Sequence, residues 1–279
     1  MNTVLITGCS SGYGLATALH FHARGWKVFA GMRRPQAMPD GLVATSARFQ
    51  PITLDVTDPA SIAGALQACG PVDVLVNNAG IGLFGAFEAT PMATVREVFE
   101  TNTLGTMAMC QAVLPQFRKR RTGVIVNVTS SSVLAPMPLV AAYTASKTAV
   151  EGFTASLALE LAEFGIRARL VQPGYAPTTR FAANGGQRMQ GLLPTAYAAY
   201  AQQVFAQLTQ VKAVTTEADV AEVVWLAATE VNGPLRRPAG ADAVALASDA
   251  ADPVRPGGLL ADERPRRQEV RRRQGELRR

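Results

Sequence analysis

The chain has 279 residues, 48% of them hydrophobic and 6% aromatic, with a formal net charge of +6 at pH 7. This length suits a single α/β domain, and no apolar run approaches the ~20 residues that a membrane-spanning helix needs. The excess positive charge lies in residues 264–279, which hold eight arginines and two glutamates, so residues 1–263 are neutral overall. The charge therefore does not indicate a nucleic-acid-binding face on the domain.

Cysteine usage and the first residues bear on the cellular compartment. The three cysteines, Cys9, Cys69 and Cys110, are odd in number and far apart. They suit a reducing cytosol and form neither a disulfide framework nor a CxxC metal site. A strand-like run starts at Thr3, which leaves no room for a signal or transit peptide. We therefore expect a cytoplasmic protein with no metal and no membrane span.

Short apolar runs alternate along the chain with helix-length amphipathic stretches. The runs are rich in Val, Ile and Leu, as in parallel strands covered on both faces. Strands are predicted at Thr3–Thr7, Lys27–Gly31, Phe49–Asp55, Val72–Asn77, Val124–Thr129 and Ala168–Gln172. Helices are predicted at Tyr13–Arg24, Pro59–Ala68, Pro91–Arg118, Ala142–Glu163 and Glu217–Ala228, the last capped by Thr215 or Thr216. Because parallel neighbours need crossover helices, the α/β class is predicted, with one Rossmann-type doubly wound parallel sheet and helices on both faces.

The pattern changes after Gln172, within a catalytic and dinucleotide-binding domain predicted to span residues 1–248. Residues 178–215 are predicted to form a substrate-binding flap with short helices, and the Pro- and Arg-rich residues 249–279 to have little order. Large apolar side chains in the flap either line a pocket or attach the flap to the body. They are Phe181, Met189, Leu192, Leu193, Tyr197, Tyr200 and Phe205.

A glycine-rich loop, TGCSSGYG at Thr7–Gly14, joins the first strand to the first helix. Its glycines let the backbone turn sharply and bring a pyrophosphate to the helix N-terminus, where free N–H groups favour anions. The same letters contain a G-x-S-x-G element centred on Ser10, which is typical of a hydrolase nucleophile. That mechanism needs a histidine late in the chain, whereas the only histidines are His20 and His22. The hydrolase alternative is therefore excluded.

The second strand ends in Gly31-Met32-Arg33-Arg34. Enzymes that prefer NAD place a carboxylate here for the ribose hydroxyls, whereas an arginine accommodates the 2′-phosphate of NADP. The sequence therefore predicts a preference for NADP(H) over NAD(H), carried mainly by Arg33 with help from Arg34. The alternative is that both arginines are ordinary surface charges.

Tyr143 and Lys147 stand four residues apart in YTASK and share one face of a predicted helix. A tyrosine with its ordinary pKa of ~10 is a poor acid–base catalyst at neutral pH, and a neighbouring ammonium lowers that pKa by stabilising the phenolate. Ser130 follows the strand GVIVNVT, where its hydroxyl could hydrogen-bond a substrate carbonyl. A chance Tyr–Lys pair and a solvated serine-rich turn are the alternatives.

Together these residues resemble the classical short-chain dehydrogenase/reductase family, in particular its hydroxysteroid and retinol dehydrogenase members. The resemblance runs from about Thr3 to Ala247, with the motifs in family order. They are TGCSSGYG, LDVTD at Leu54–Asp58, NNAG at Asn77–Gly80, Asn102 in ETNTLG, Ser130, YTASK and Pro173-Gly174. The chain departs from the family after GADAVALA, where the Pro- and Arg-rich tail replaces the usual ordered end.

The resemblance implies a role for each matching residue. Tyr143 would exchange a proton with the substrate oxygen, Lys147 would lower the tyrosine pKa and hold the nicotinamide ribose, Ser130 would orient the carbonyl, and Asn102 would anchor a water. Asp55 would contact the adenine and Thr178 the carboxamide. The implied cofactor-binding set is Thr7, Gly8, Ser10, Ser11, Gly12, Tyr13, Gly14, Arg33, Arg34, Asp55, Val56, Asn78, Ala79, Gly80, Pro173, Gly174 and Thr178.

The expected function is the NADP(H)-dependent interconversion of an alcohol and a ketone or aldehyde, acting on a small apolar substrate. Subunit association is left open. A redox sensor or regulatory protein that holds NADP(H) without turnover is the alternative, although the complete Ser–Tyr–Lys–Asn set argues against it. Nucleic-acid binding through the tail is not favoured, because the sequence offers neither an aromatic stacking platform nor a basic domain face.

Overall fold

A seven-stranded parallel sheet forms the centre of the molecule in the computed structural model, which describes residues 1–37, 46–177, 179, 186, 188–211 and 213–251. The strand order is β3-β2-β1-β4-β5-β6-β7, and every neighbouring pair is parallel. The strands are β1 (Thr3–Thr7), β2 (Lys27–Met32), β3 (Phe49–Thr53), β4 (Val74–Asn77), β5 (Gly123–Val128), β6 (Ile166–Pro173) and β7 (Arg236–Ala239). The predicted doubly wound sheet is confirmed.

Helices cover both faces of this sheet. Within the described residues they are α1 (Gly12–Ala23), α2 (Pro59–Cys69), α3 (Met92–Phe99), α4 (Gly105–Arg120), α5 (Ala141–Ala162), α6 (Thr195–Thr209), α7 (Glu217–Thr229) and α8 (Ala241–Ala251). Side chains alternate along β1: Val4 and Ile6 pack in a cluster with α1 and α7, whereas Leu5 packs with α2, α4 and α5. None of the described helices is both long enough and apolar enough to cross a membrane.

The six predicted strands are present, and β7 is an additional strand that the sequence pattern did not predict. It pairs with β6 through the register Leu170↔Arg236 to Pro173↔Ala239. Its four residues, RRPA, contain no apolar run, and Pro238 is tolerated because β7 is an edge strand. Helix α8 extends to Ala251, and the remainder of the predicted tail lies outside the described residues.

Two predicted helical regions differ from the structure. The single helix predicted over Pro91–Arg118 is interrupted by a π-helical turn at Glu100–Leu104. The described part of the flap, residues 179, 186, 188–211 and 213–215, contains a helix of 15 residues, α6, where short helices were expected. The cap of α7 is Thr216, whose hydroxyl accepts from Asp219 N at 3.2 Å while the Asp219 carboxylate accepts from Thr216 N at 2.8 Å.

Candidate active site

The site lies at the carboxyl edge of the sheet, where the strand order reverses between β1 and β4. Loops that follow parallel strands on the two sides of such a reversal diverge and leave a crevice, which is where doubly wound sheets bind ligands. The glycine-rich loop follows β1, Asn78 follows β4, Ser130 follows β5 and Gly174 follows β6. The topology therefore places these predicted site residues along one edge.

The glycine-rich loop has the shape of an anion cradle. Gly8 and Gly12 adopt φ angles of +74° and +55°, in the left-handed region that favours glycine. A Cβ atom on Gly8 would lie 2.8 Å from the Cα of Ala79, so the two backbones touch. Ser11 makes no side-chain cap on α1, and the first turn of α1 holds no acidic residue. The N–H groups that open α1 can therefore face a phosphate.

The loop after β4 is fastened to the glycine-rich loop. The Thr7 hydroxyl accepts from Asn78 N at 3.0 Å and from Ala79 N at 2.9 Å. The Asn78 side chain donates to the carbonyls of Thr7 and Gly8, at 2.9 and 3.2 Å. Four predicted cofactor residues are thus joined by hydrogen bonds.

Ser130, Tyr143 and Lys147 lie around the end of β5. Tyr143 and Lys147 are 9% and 5% exposed on the same face of α5, and the side chains of Ser130 and Tyr143 form a hydrogen bond. The Ser130 oxygen also accepts from Ser132 N at 3.2 Å, and Lys147 Nζ donates to the carbonyl of Val128 at 3.1 Å. The tyrosine hydroxyl therefore has a fixed partner, and the ammonium is held against the end of β5.

Burial dominates the titration of this pair. It raises the pKa of Tyr143 to about 12, with the Ser130 hydrogen bond acting in the opposite direction. It also lowers the pKa of Lys147 to about 8. Both groups lose hydration, and the hydrogen bond from Ser130 favours the phenolate. That Lys147 lowers the tyrosine pKa stays a prediction.

Asn102 lies fully buried in the π-helical turn. Its side chain accepts from Ile81 N at 2.8 Å and donates to the Ile81 carbonyl at 3.0 Å and to Ser146 Oγ at 3.1 Å. Ser146 in turn donates to the backbone carbonyl of Tyr143 at 2.7 Å. A Cβ atom on Gly80 would lie 3.3 Å from both Asn102 Oδ1 and Lys147 Nζ, so these three predicted residues are neighbours.

The two arginines after β2 are exposed at the same edge. Arg33 lies near the Asp55 carboxyl, whose pKa is held below its ordinary range chiefly by the Thr57 N–H and in part by Arg33. Asp55 Oδ1 accepts from Thr57 N at 3.0 Å. Val56 is buried against Gly105, so its side chain packs in the protein interior.

A group of hydrogen bonds that the sequence did not reveal holds the turn after β6. It joins Tyr175, Thr215 and Asp242 and is called the clasp below. Asp242, in the first turn of α8, accepts from Tyr175 N at 2.6 Å and from the Thr215 hydroxyl at 2.6 Å. Thr215 N donates to the Tyr175 carbonyl at 2.8 Å, and Gly174 N donates to the Ala239 carbonyl at 3.1 Å. The two ends of the flap are therefore joined, and β7 and α8 complete the site. The sequence offers one signal for this arrangement: Asp242, two residues after Gly240, is an acidic residue of the kind found in the first turn of a helix.

Tyr13 closes the gap between the first loop and this turn. Its hydroxyl lies 3.5 Å from the Gly174 carbonyl, and burial raises its pKa. The Thr178 position, predicted to reach the carboxamide, lies outside the described residues, as does Phe181 of the flap.

The flap contributes one wall beside Tyr143. Leu192 is buried in a cluster with Leu83, Val98, Ala142 and Tyr143, and its carbonyl accepts from Ala86 N at 2.8 Å. Tyr200 and Phe205 are 44% and 45% exposed, although the Phe205 ring lies 4.8 Å from that of Phe84. A cavity of about 460 Å³ adjoins Leu192 and is lined by Pro91, Thr94, Glu97, Arg188, Gln190 and Leu192. Leu192 thus lies at the pocket, whereas the two aromatic residues lie towards the outside.

Comparison with known proteins shows the family of this chain. A model of the family described as short chain dehydrogenase matches residues 2–189. The chain belongs to this family. The match includes the loops that follow β1 to β5 and part of the segment after β6. It ends before Thr215 and Asp242, so these two residues lie beyond the matched part of this short-chain dehydrogenase.

Two curated relatives and one solved structure illustrate the relationship. Retinol dehydrogenase 8 of Bos taurus is 43% identical over 183 residues, 62% of this chain and 58% of that protein. The 17-beta-hydroxysteroid dehydrogenase type 1 of Mus musculus is 41% identical over 187 residues, 63% of this chain and 54% of that protein. A short-chain dehydrogenase from Streptomyces avermitilis has 34% identity and a TM-score of 0.77, covering 99% of this chain and 97% of its own. The alignments thus span less than two thirds of the curated relatives.

Two further similar solved structures contain a nicotinamide dinucleotide. Serine dehydrogenase complexed with NADP+ is 26% identical, with a TM-score of 0.71 and coverage of 85% of this chain and 93% of its own. A short-chain dehydrogenase/reductase from Burkholderia phymatum in complex with NAD is 26% identical, with a TM-score of 0.72 and coverage of 84% and 88%.

Proposed function

We propose that this short-chain dehydrogenase is an NADP(H)-dependent oxidoreductase that interconverts an alcohol and a ketone or aldehyde, with Tyr143 as the acid–base group. The observation that carries the proposal is the hydrogen bond between the side chains of Ser130 and buried Tyr143, with Lys147 one helical turn further along α5. A protein that only binds a dinucleotide has no need of a proton donor oriented in this way.

The residues of the crevice suit a dinucleotide. The glycine-rich loop and the start of α1 would hold the pyrophosphate, and the floor formed by Asn78, Ala79 and Gly80 would lie under the nicotinamide half. The ammonium of Lys147 would bind the ribose hydroxyls. Solved relatives with bound NADP+ and NAD support a nicotinamide cofactor. The preference for NADP(H) rests on exposed Arg33 and Arg34 at the end of β2.

The chain's own residues would supply position and a proton. When bound, the reduced cofactor supplies the hydride. The Ser130 hydroxyl would orient the substrate carbonyl beside Tyr143. Because burial raises the pKa of Tyr143 to about 12, its hydroxyl stays protonated at neutral pH and can give its proton to the oxygen of the carbonyl being reduced. Asn102 connects the turn after β4 to the backbone of Tyr143, through its hydrogen bonds with Ile81 and Ser146.

The substrate is proposed to be a small molecule with an apolar body. Its carbonyl would lie at Tyr143, and the hydrophobic wall next to that ring consists of Leu83, Val98, Ala142 and Leu192. Apolar side chains of this kind attract an apolar ligand and cannot satisfy polar groups. The names of the aligned relatives, a retinol dehydrogenase and a hydroxysteroid dehydrogenase, support the same class.

A substrate panel tests the proposal directly. Ketones, aldehydes and their alcohols, graded from polar to apolar, would be incubated with each reduced or oxidised cofactor while the absorbance of the reduced nicotinamide is followed. We expect turnover with NADPH and apolar carbonyls. Tight NADPH binding without turnover on any carbonyl or alcohol would contradict the proposal and favour a redox sensor.

The rate of carbonyl reduction should fall above about pH 8. Tyr143 keeps its proton throughout this range, whereas Lys147, with its pKa lowered to about 8, is an ammonium below that value and neutral above it. Loss of the ammonium removes the charge that would hold the ribose, so kcat/KM for NADPH should decline by about tenfold per pH unit once the group has titrated. Steady-state kinetics from pH 6 to 10 would show this, and a flat profile would contradict the role of Lys147.

A further inference from the structure

A third polar side chain lies on the face of α5 that carries Tyr143 and Lys147. Glu151 stands one helical turn beyond Lys147 and is 7% exposed. Its Oε1 accepts from the Thr129 hydroxyl at 2.8 Å and from Gln172 Nε2 at 3.0 Å, and its Oε2 accepts from Arg236 Nε at 2.8 Å.

The three donors come from three neighbouring positions in the sheet: one follows β5, one lies in β6 and one lies in β7. Thr129 immediately precedes Ser130, Gln172 immediately precedes Pro173, and Arg236 opens β7. A single carboxylate therefore connects the helix that carries Tyr143 and Lys147 to the residues just before Ser130 and just before the Pro173-Gly174 turn. Directional hydrogen bonds to a charged group fix distances and angles, which apolar contacts leave freer.

Burial of this carboxylate is costly unless its oxygens are satisfied. Here both oxygens have donors, one of them the guanidinium of half-exposed Arg236. A glutamine has the same shape, but its NH2 group would face another donor, either the Arg236 guanidinium or the Gln172 NH2 group. Replacement would therefore loosen the connection without emptying space in the core.

We propose that Glu151 is a positioning residue: it sets the orientation of Ser130 and of the Pro173-Gly174 turn relative to Tyr143 and Lys147. This inference rests on the proposed function. An error of about 1 Å in the position of a catalytic group can cost as much as 10²-fold in rate, so partial loosening should be visible in turnover.

Three variants test the proposal in the full-length protein: Glu151→Gln, Thr129→Val and Glu160→Gln. Glu160 is exposed on the same helix and is the matched control. Thr129→Val should lower kcat about tenfold with little change in NADPH affinity, because Gln172 still holds the turn after β6. Glu151→Gln should lower kcat at least as much and also weaken NADPH binding several-fold. Glu160→Gln should change neither. Kinetics on the best ketone of the substrate panel would be measured well below each melting temperature.

The outcomes separate positioning from stability. Glu151→Gln and Thr129→Val proteins with lower melting temperatures but wild-type kcat and NADPH affinity would overturn the proposal and leave Glu151 a structural residue. If the wild type turns over no substrate, the proposed function fails, but Glu151 is still tested. Hydrogen exchange of the amides at residues 130–132 should then speed up about tenfold in Glu151→Gln and not in Glu160→Gln, and equal exchange would refute the positioning role.

Discussion

Exchange of Tyr143 for phenylalanine should lower turnover ~10²–10⁴-fold, the usual contribution of a general acid–base group. The ring stays in its hydrophobic cluster with Leu83 and Leu192, so only the hydroxyl and its hydrogen bond with Ser130 are lost. NADPH affinity should hardly change, because the glycine-rich loop and Arg33 are untouched. The turnover number would be measured on a confirmed substrate, and the Kd of NADPH by fluorescence titration.

Two comparison variants sharpen this result. Tyr200→Phe makes the same chemical change on the exposed side of α6 and should leave turnover unchanged. Lys147→Ala should lower turnover and also weaken the cofactor, and its effect should not add to that of Tyr143→Phe, since both disable one unit. Near-normal turnover of Tyr143→Phe would refute the proposed mechanism.

Replacement of Arg33 by alanine should weaken NADPH binding by one to two orders of magnitude and leave NADH binding almost unchanged. A charge-assisted hydrogen bond between a guanidinium and a phosphate contributes ~1.5–3 kcal/mol, which corresponds to that range in Kd. Arg33 is exposed and close to Asp55, so its removal should not disturb the core. The dissociation constants of NADPH and NADH would be measured side by side for the wild type and for Arg33→Ala, and the ratio of the two constants compared between the proteins.

Arg118→Ala is the matched control, because Arg118 is exposed near the end of α4. It should alter neither dissociation constant. If Arg33→Ala weakened NADPH and NADH binding equally, Arg33 would act through the structure of the loop after β2 and not through the 2′-phosphate. A wild-type preference for NADH would show that Arg33 and Arg34 are ordinary surface charges.

Local sequence patterns predicted the parts of the fold that depend on local physics. Continuous apolar runs mark buried parallel strands whatever their partners, so six strands and the class of sheet could be predicted. The glycines of Thr7–Gly14 mark a tight turn, and Thr216 is recognisable as a cap because its partner Asp219 is three residues away.

The parts of the fold and of the site that the sequence did not reveal depend on contacts between residues far apart in the chain. Strand β7 is defined by pairing with β6, and its own letters, RRPA, resemble a loop. Asp242 meets Tyr175 across 67 positions of the chain, and Arg236 meets Glu151 across 85. Burial raises the pKa of Tyr143, and burial is a property of the whole fold.

The clasp around Asp242 has a consequence for biosynthesis. The glycine-rich loop, Ser130 and the Tyr143 helix all emerge from the ribosome well before Thr215 and Asp242, which join the two ends of the flap. Domains fold as units during synthesis, and the contacts of Asp242 are among the last of this domain to be made. Products truncated before residue 242 would therefore lack the hydrogen bonds from Asp242 to Tyr175 and Thr215.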